Sequence, residues 1–175
     1  IHHALLRWYF TQGARPKMDV DNGGLVHDRR LHKRRAPGMT CLSALQSASA
    51  FGSAAQNDSK GCGTIMRVAP VGLMASQDVE QIAMESSAVT HGHRVGQQAA
   101  AAWALILQAV LDGAPVEKAA RDIVRHFGLE TNEALGAALE APLDGTPETV
   151  ESLGGGWVAE EALAIALYAA LASSS

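Results

Sequence analysis

Three glycine-punctuated stretches carry the residue types that could hold a ligand. In the first, NDSKGCGTIMRVAPVGL, Asn57, Asp58 and Ser59 supply turn-forming side chains, and Gly61 and Gly63 leave the backbone free to take φ > 0 and to admit another group closely. The run that follows, from Ile65 to Leu73, is apolar enough to need burial. A loop of exposed amides feeding a buried helix start suits an anion, because helical N–H groups and the helix dipole point at it. A tight turn before a core helix is the plainer reading and, on spacing alone, the stronger one, since paired glycines are a weak signal.

The second stretch is THGHR, Thr90 to Arg94. Two histidines one residue apart cannot share a helix face, so a turn through Gly92 is expected. His91 is as well suited to capping free carbonyls at a helix end as to meeting a ligand, and zinc would need more ligands than this stretch holds. In the third, Gly154, Gly155 and Gly156 precede Trp157, an exposed backbone beside an aromatic plate on which an adenine or ribose could lie. Glu160 and Glu161 could in principle act as acid and base. Adjacent helical residues point in different directions, however, and carboxylates in a first turn chiefly complement the dipole.

Two further runs have weaker chemistry. MDVDNGG, Met18 to Gly24, places oxygens at Asp19, Asp21 and Asn22 as a calcium loop would, yet Gly23 falls at the fifth position and Arg30 where the bidentate glutamate belongs, so an Asx turn is expected. HDRRLHKRR, His27 to Arg35, is densely basic but has no interleaved aromatics. A solvated loop is the better reading, and nucleic acid is not expected as a partner.

The elements that must position these stretches read as helices throughout. Residues 1–12 form a helix end stopped by Gly13, and 13–38 a long loop broken by Pro16, Gly23, Gly24, Pro37 and Gly38. Thr40 is predicted to cap a helix from Cys41 to Phe51. Ile65 to Ala75 forms a short helix that Pro70 bends, and Asp78 starts another running to His91. Val95 to Leu111, through AAAAWALILQAVL, is the longest and most apolar segment and should be central. Val116 to Phe127, Thr131 to Glu140 and a turn or two begun by Thr146 and Pro147 follow. The last helix lies within Leu153 to Leu171. The expected architecture is one all-α domain, an orthogonal multi-helix bundle, with loops 52–64, 90–96 and 153–158 as candidates for one shared site.

Composition agrees. At 175 residues the chain is long enough for one core, and with 47% hydrophobic, 18% charged and 5% aromatic residues its apolar share is carried by small and aliphatic side chains, as in closely packed helices. A net charge of −4 gives no general attraction to nucleic acid or to anionic membrane. No run reaches the ~20 apolar residues of a membrane span. Cys41 and Cys62 make no disulfide framework and have no partners at metal-ligand spacing, so a reduced, cytoplasmic protein is the simplest reading. Ile1 opens inside an apolar pattern and Ser173, Ser174 and Ser175 close just after another, so the chain is expected to be a fragment.

Taken in order, RAPGMTCLSAL, NDSKGCGTIMRVAPVGL, SSAVTHGH and LGGGWVAEEALAIALYAAL resemble the ADP-ribosylglycohydrolase family, which includes the dinitrogenase reductase-activating glycohydrolases. The resemblance spans nearly the whole chain. It implies an all-α orthogonal bundle around a cleft with two magnesium ions, and hydrolysis of the bond between ADP-ribose and a modified side chain or small molecule. Carried over to these positions, it implies that Asn57, Ser59, Gly61, Gly63 and Thr64 lie in a loop facing the ADP-ribose phosphates through backbone amides. His91 would contact the bound ribose-diphosphate, and Gly155, Gly156 and Trp157 would line the nucleoside end. Arg67 would be a buried structural arginine, and Arg94 stands where relatives often have proline.

The family's Thr-Asp-Asp and Gly-Asp-Ser/Thr-Asp metal motifs, placed before Ile1 and after Ser175 by this match, are not in the sequence. No catalytic residue, no bound magnesium and no turnover are therefore expected of this chain alone. Exposed apolar surface and self-association are expected instead. The alternative is a non-catalytic helical module that binds ADP-ribose, a related nucleotide or a protein partner.

Overall fold

The computed structural model describes residues 1–20 and 23–173. Asp21 and Asn22 of the calcium-loop comparison, and Ser174 and Ser175, lie outside the described residues. Among the described residues the chain is all-α: α1 His2–Thr11, α2 Met39–Ser47, α3 Ile65–Gly72, α4 Val79–Ala88, α5 Arg94–Leu111, α6 Val116–Ile123, α7 Leu129–Glu140, α8 Pro147–Ser152 and α9 Ala159–Ala172. Short 3₁₀ turns occupy Gly24–His27, Arg29–Leu31 and Cys62–Thr64. No helix among the described residues is long and apolar enough to cross a membrane.

The alanine-rich α5 is the central element, as its composition requires, and it separates two apolar cores. On one side Ala99, Ala102 and Ile106 pack with Leu135 of α7 and Leu163 and Leu167 of α9. On the other, Ala100, Ala101 and Ala104 meet Val68 and Val71 of α3 and Val79 and Ala83 of α4. Alanine on both faces lets neighbouring helices approach closely. The closest approach is at Gly72 of α3, where an added Cβ would stand 2.6 Å from the Ala104 carbonyl oxygen. Each fully buried leucine contributes on the order of 2 kcal/mol relative to exposure. A third, smaller cluster of Leu6, Tyr9, Leu45 and Val89 joins α1 and α2 to the end of α4.

Several boundaries differ from the predicted ones. Gly38, not Thr40, is the N-cap of α2, and the Thr40 hydroxyl meets Ser59 Oγ at 3.3 Å instead. That helix stops at Ser47, leaving Phe51 half-exposed and stacked on His3 with ring centroids 3.8 Å apart. Likewise α4 ends at Ala88 rather than His91, and α6 at Ile123 rather than Phe127. Pro70 sits within α3 and the helix closes two residues later. Arg94 is the first residue of α5, the position at which proline is tolerated, so arginine there leaves the turn undisturbed. Thr146 caps α8 as expected, its hydroxyl accepting from the Thr149 N–H at 3.3 Å.

Outward-facing apolar side chains remain. Met66 of α3 and Leu73, its C-cap, stand exposed about two helical turns apart, and Leu111 is exposed at the end of α5.

Candidate functional site

The three glycine loops converge. Asn57 joins the first to the second: its Oδ1 accepts from the Ser59 and Gly92 N–H groups at 3.1 and 3.0 Å, and its Nδ2 donates to the Thr90 carbonyl at 3.0 Å. The His93 N–H adds a bond to the Ser59 carbonyl. The first loop joins the third through a short antiparallel bridge between Gly61 and Val158, with Cys62 N–H donating to Trp157 O at 3.0 Å and Ala159 N–H to Lys60 O at 2.8 Å.

At the centre lies His91, 2% exposed. Gly61 and Gly63 face its ring: a Cβ on Gly63 would stand 3.2 Å from Cε1 and 3.4 Å from Nε2, and one on Gly61 would stand 3.4 Å from Nε2. Neither glycine takes a positive φ, so left-handed backbone does not require them; a Cβ would be tight against the imidazole at Gly63 and in ordinary contact with it at Gly61. Nδ1 of His91 shares a hydrogen with Thr90 Oγ1 at 2.8 Å. Arg67 Nη2 donates to that same hydroxyl at 2.6 Å. The same hydroxyl also donates to Ser87 O at 3.5 Å, a long contact beside the 2.8 Å one to the ring. Burial, with the Arg67 charge second, lowers the His91 pKa to about 4. The ring is therefore neutral at neutral pH, with its Nε2 edge toward the glycine loop.

Arg67 is structural, as anticipated. It ties α3 to the last turn of α4 through the Ser86 and Ser87 carbonyls at 2.9 and 3.4 Å, satisfying acceptors that the helix end leaves free. Its Nη1 lies 3.8 Å from Cys41 Sγ.

The third loop is held from within. Gly154 takes φ +117 and an added Cβ would strike Glu161 Cγ at 2.5 Å, so Glu161 packs back on its own loop. Glu160 turns the other way and pairs with Lys60. That pair raises the Lys60 pKa, with desolvation opposing and the charges of Glu160, Glu130 and Glu161 adding. The two carboxylates thus point apart and are not an acid–base pair. Sequence reasoning missed the Lys60–Glu160 pair, which joins residues a hundred positions apart and leaves no local signal. Trp157 is 82% exposed, and Gly155 lies exposed beside its ring.

The site residues named from sequence thus fall into two sets. Asn57, Ser59, Gly61, Gly63 and His91 form the clamp, with Gly155, Gly156 and Trp157 at its edge. Thr64 stands apart: it is fully buried, and its Oγ1 has no hydrogen-bond partner among the described residues. The amides of Ser59, Gly61 and Cys62 are each bonded within the cluster, to Asn57 Oδ1, Ser59 Oγ and Trp157 O. Among the described residues no three His, Cys, Asp or Glu side chains gather at metal-holding spacing. The residues present do not fit the magnesium pair that the resemblance implies.

Fold and site together define an all-α protein whose interhelical loops close over a neutral histidine. The model of the ADP-ribosylglycohydrolase family matches residues 1–175, and the chain belongs to that family, a family of hydrolases. No curated protein and no solved structure matches it.

Proposed function

We propose that the three-loop cluster is the ADP-ribose-facing surface of a glycohydrolase that cleaves the bond between ADP-ribose and a modified side chain or small molecule. The observation that carries this reading is the joining of the three loops, the first packed on His91 and bridged to the third, with Trp157 presented at their edge. In this reading Trp157 and Gly155 meet the nucleoside end, because a flat aromatic face next to bare backbone admits a stacked base. The loop that begins at Asn57 meets the diphosphate through its outer surface and partly exposed Lys60, since its Ser59, Gly61 and Cys62 amides are bonded within the cluster and Thr64 is buried. His91 holds the loop's shape from beneath.

By itself this chain is proposed to bind without turning over. General acid–base chemistry at a glycosidic bond needs a positioned carboxylate and a means of stabilising developing charge. Glu160 is paired with Lys60 and Glu161 packs against Gly154, while Asp58, the carboxylate within the first loop, is exposed to solvent. Titration with ADP-ribose, followed by Trp157 emission against a Trp157→Phe control, tests the binding. Release of ADP-ribose from ADP-ribosyl-arginine by the 175-residue chain with magnesium would overturn the claim about turnover.

A further inference from the structure

A second concave surface shares no lining residue with the three-loop cluster. It is a cavity of about 560 Å³ between α1 and the two 3₁₀ turns of the long loop, a size typical of small-molecule pockets. Its apolar lining includes Trp8, Leu25 and Leu31, and Leu25 and Leu31 are 72% and 44% exposed. Its cationic lining is Arg7, Arg30, Lys33 and Arg35, and among the described residues no Asp or Glu lines it. Asp28 holds Arg30 through both carboxylate oxygens at 2.6 to 3.1 Å, which fixes that guanidinium at the rim and offsets part of its charge. The sequence concentrates charge here: residues 1–35 hold eight of the 14 Lys and Arg and three of the 18 Asp and Glu of a chain whose net charge is −4.

We propose that this pocket binds a small anion with an apolar body, an aryl or acyl carboxylate, sulfonate or phosphate. The apolar lining takes the body out of water, and the cations meet the acidic group. A bare inorganic anion would leave Leu25 and Leu31 uncovered. A neutral apolar molecule would gain nothing from the rim. A nucleic-acid strand is served by successive exposed aromatics along a groove, whereas among the described residues Trp8 is the single aromatic lining this cavity.

The test uses the full chain and a matched pair of probes, 1-anilinonaphthalene-8-sulfonate and the uncharged N-phenyl-1-naphthylamine. The sulfonate is expected to bind saturably at one site and at least about tenfold more tightly than the neutral amine, a difference of ~1.4 kcal/mol. The Lys33→Ala/Arg35→Ala variant should lose that advantage, and Leu25→Asp should weaken both probes, with melting temperatures unchanged because all three side chains lie on the loop surface. Absence of saturable binding, equal affinity for the two probes, or indifference to Lys33→Ala/Arg35→Ala would overturn the proposal. So would displacement of the sulfonate by ADP-ribose, which would make the cavity part of the first site, or by a short single-stranded oligonucleotide with steep salt dependence, which would make it a polymer surface.

Discussion

Asn57 and Gly92 hold each other from two sides: the Gly92 N–H donates to Asn57 Oδ1 at 3.0 Å, while a Cβ on Gly92 would stand 1.8 Å from the Asn57 carbonyl oxygen. No side chain can occupy that space without parting the loops. Gly92→Ala is therefore expected to cost at least about 3 kcal/mol in urea unfolding. Gly61→Ala places its Cβ in ordinary contact with the ring, 3.4 Å from His91 Nε2, and should cost under ~1 kcal/mol. Equal losses for the two would contradict this picture of the clamp.

Asn57→Asp tests the same clamp without changing its shape. An aspartate keeps an acceptor for the Ser59 and Gly92 N–H groups but replaces the Nδ2 donor with an oxygen facing the Thr90 carbonyl. A loss of about 1–3 kcal/mol is expected, from one broken bond and a newly opposed pair of acceptors. A variant as stable as the parent would mean that the bond to Thr90 is not holding the loops together.

His91 gives the protein an acid-sensitive centre. The folded state binds the ring proton only near pH 4, whereas the unfolded chain binds it near the ordinary 6.5. Between those values the unfolded state carries more protons, so stability falls as pH drops through 6.5 toward 4 and levels off below. Above 6.5 the ring adds no pH dependence. The full loss is on the order of 3 kcal/mol. Burial lowers the His2 pKa too, so part of the observed slope belongs to that residue. An NMR titration of the ring protons separates them, and a His91 midpoint above about 6 would show that the ring is not held neutral.

Lys60 and Glu160 offer a pairwise test. Glu160 is 9% exposed and its Oε2 has no hydrogen-bond partner among the described residues, so removing Lys60 leaves a poorly solvated carboxylate. Lys60→Met should cost about 2 kcal/mol, reduced by the partial exposure of Lys60, and Lys60→Met/Glu160→Leu should recover most of it. Additive single losses would show that the two residues are not coupled.

The fold was legible where one physical effect dominated. The alanine run of α5 has no polar face and so had to be central, and Thr146–Pro147 places a cap and a proline where a helix start needs them. Boundaries failed where tertiary contacts competed with local ones. Thr40 is a good cap by type, but its hydroxyl is taken by Ser59 from another loop. Phe51 fits an apolar face, but the helix stops before it, and its ring finds His3. At the candidate site, the three loops were visible as glycine clusters. Their joints were not, because Asn57 to Thr90, Gly61 to Val158 and Lys60 to Glu160 are contacts between distant segments with no periodic trace.

The most direct test of the three-loop cluster is calorimetric titration of the chain with ADP-ribose, compared with Trp157→Ala. Trp157 is 82% exposed, so its removal should change stability by no more than ~0.5 kcal/mol. Saturable one-to-one binding is expected, weakened about tenfold or more in Trp157→Ala by loss of a stacking contact worth about 1–3 kcal/mol. No measurable heat with ADP-ribose, or the same affinity with and without Trp157, would contradict the account.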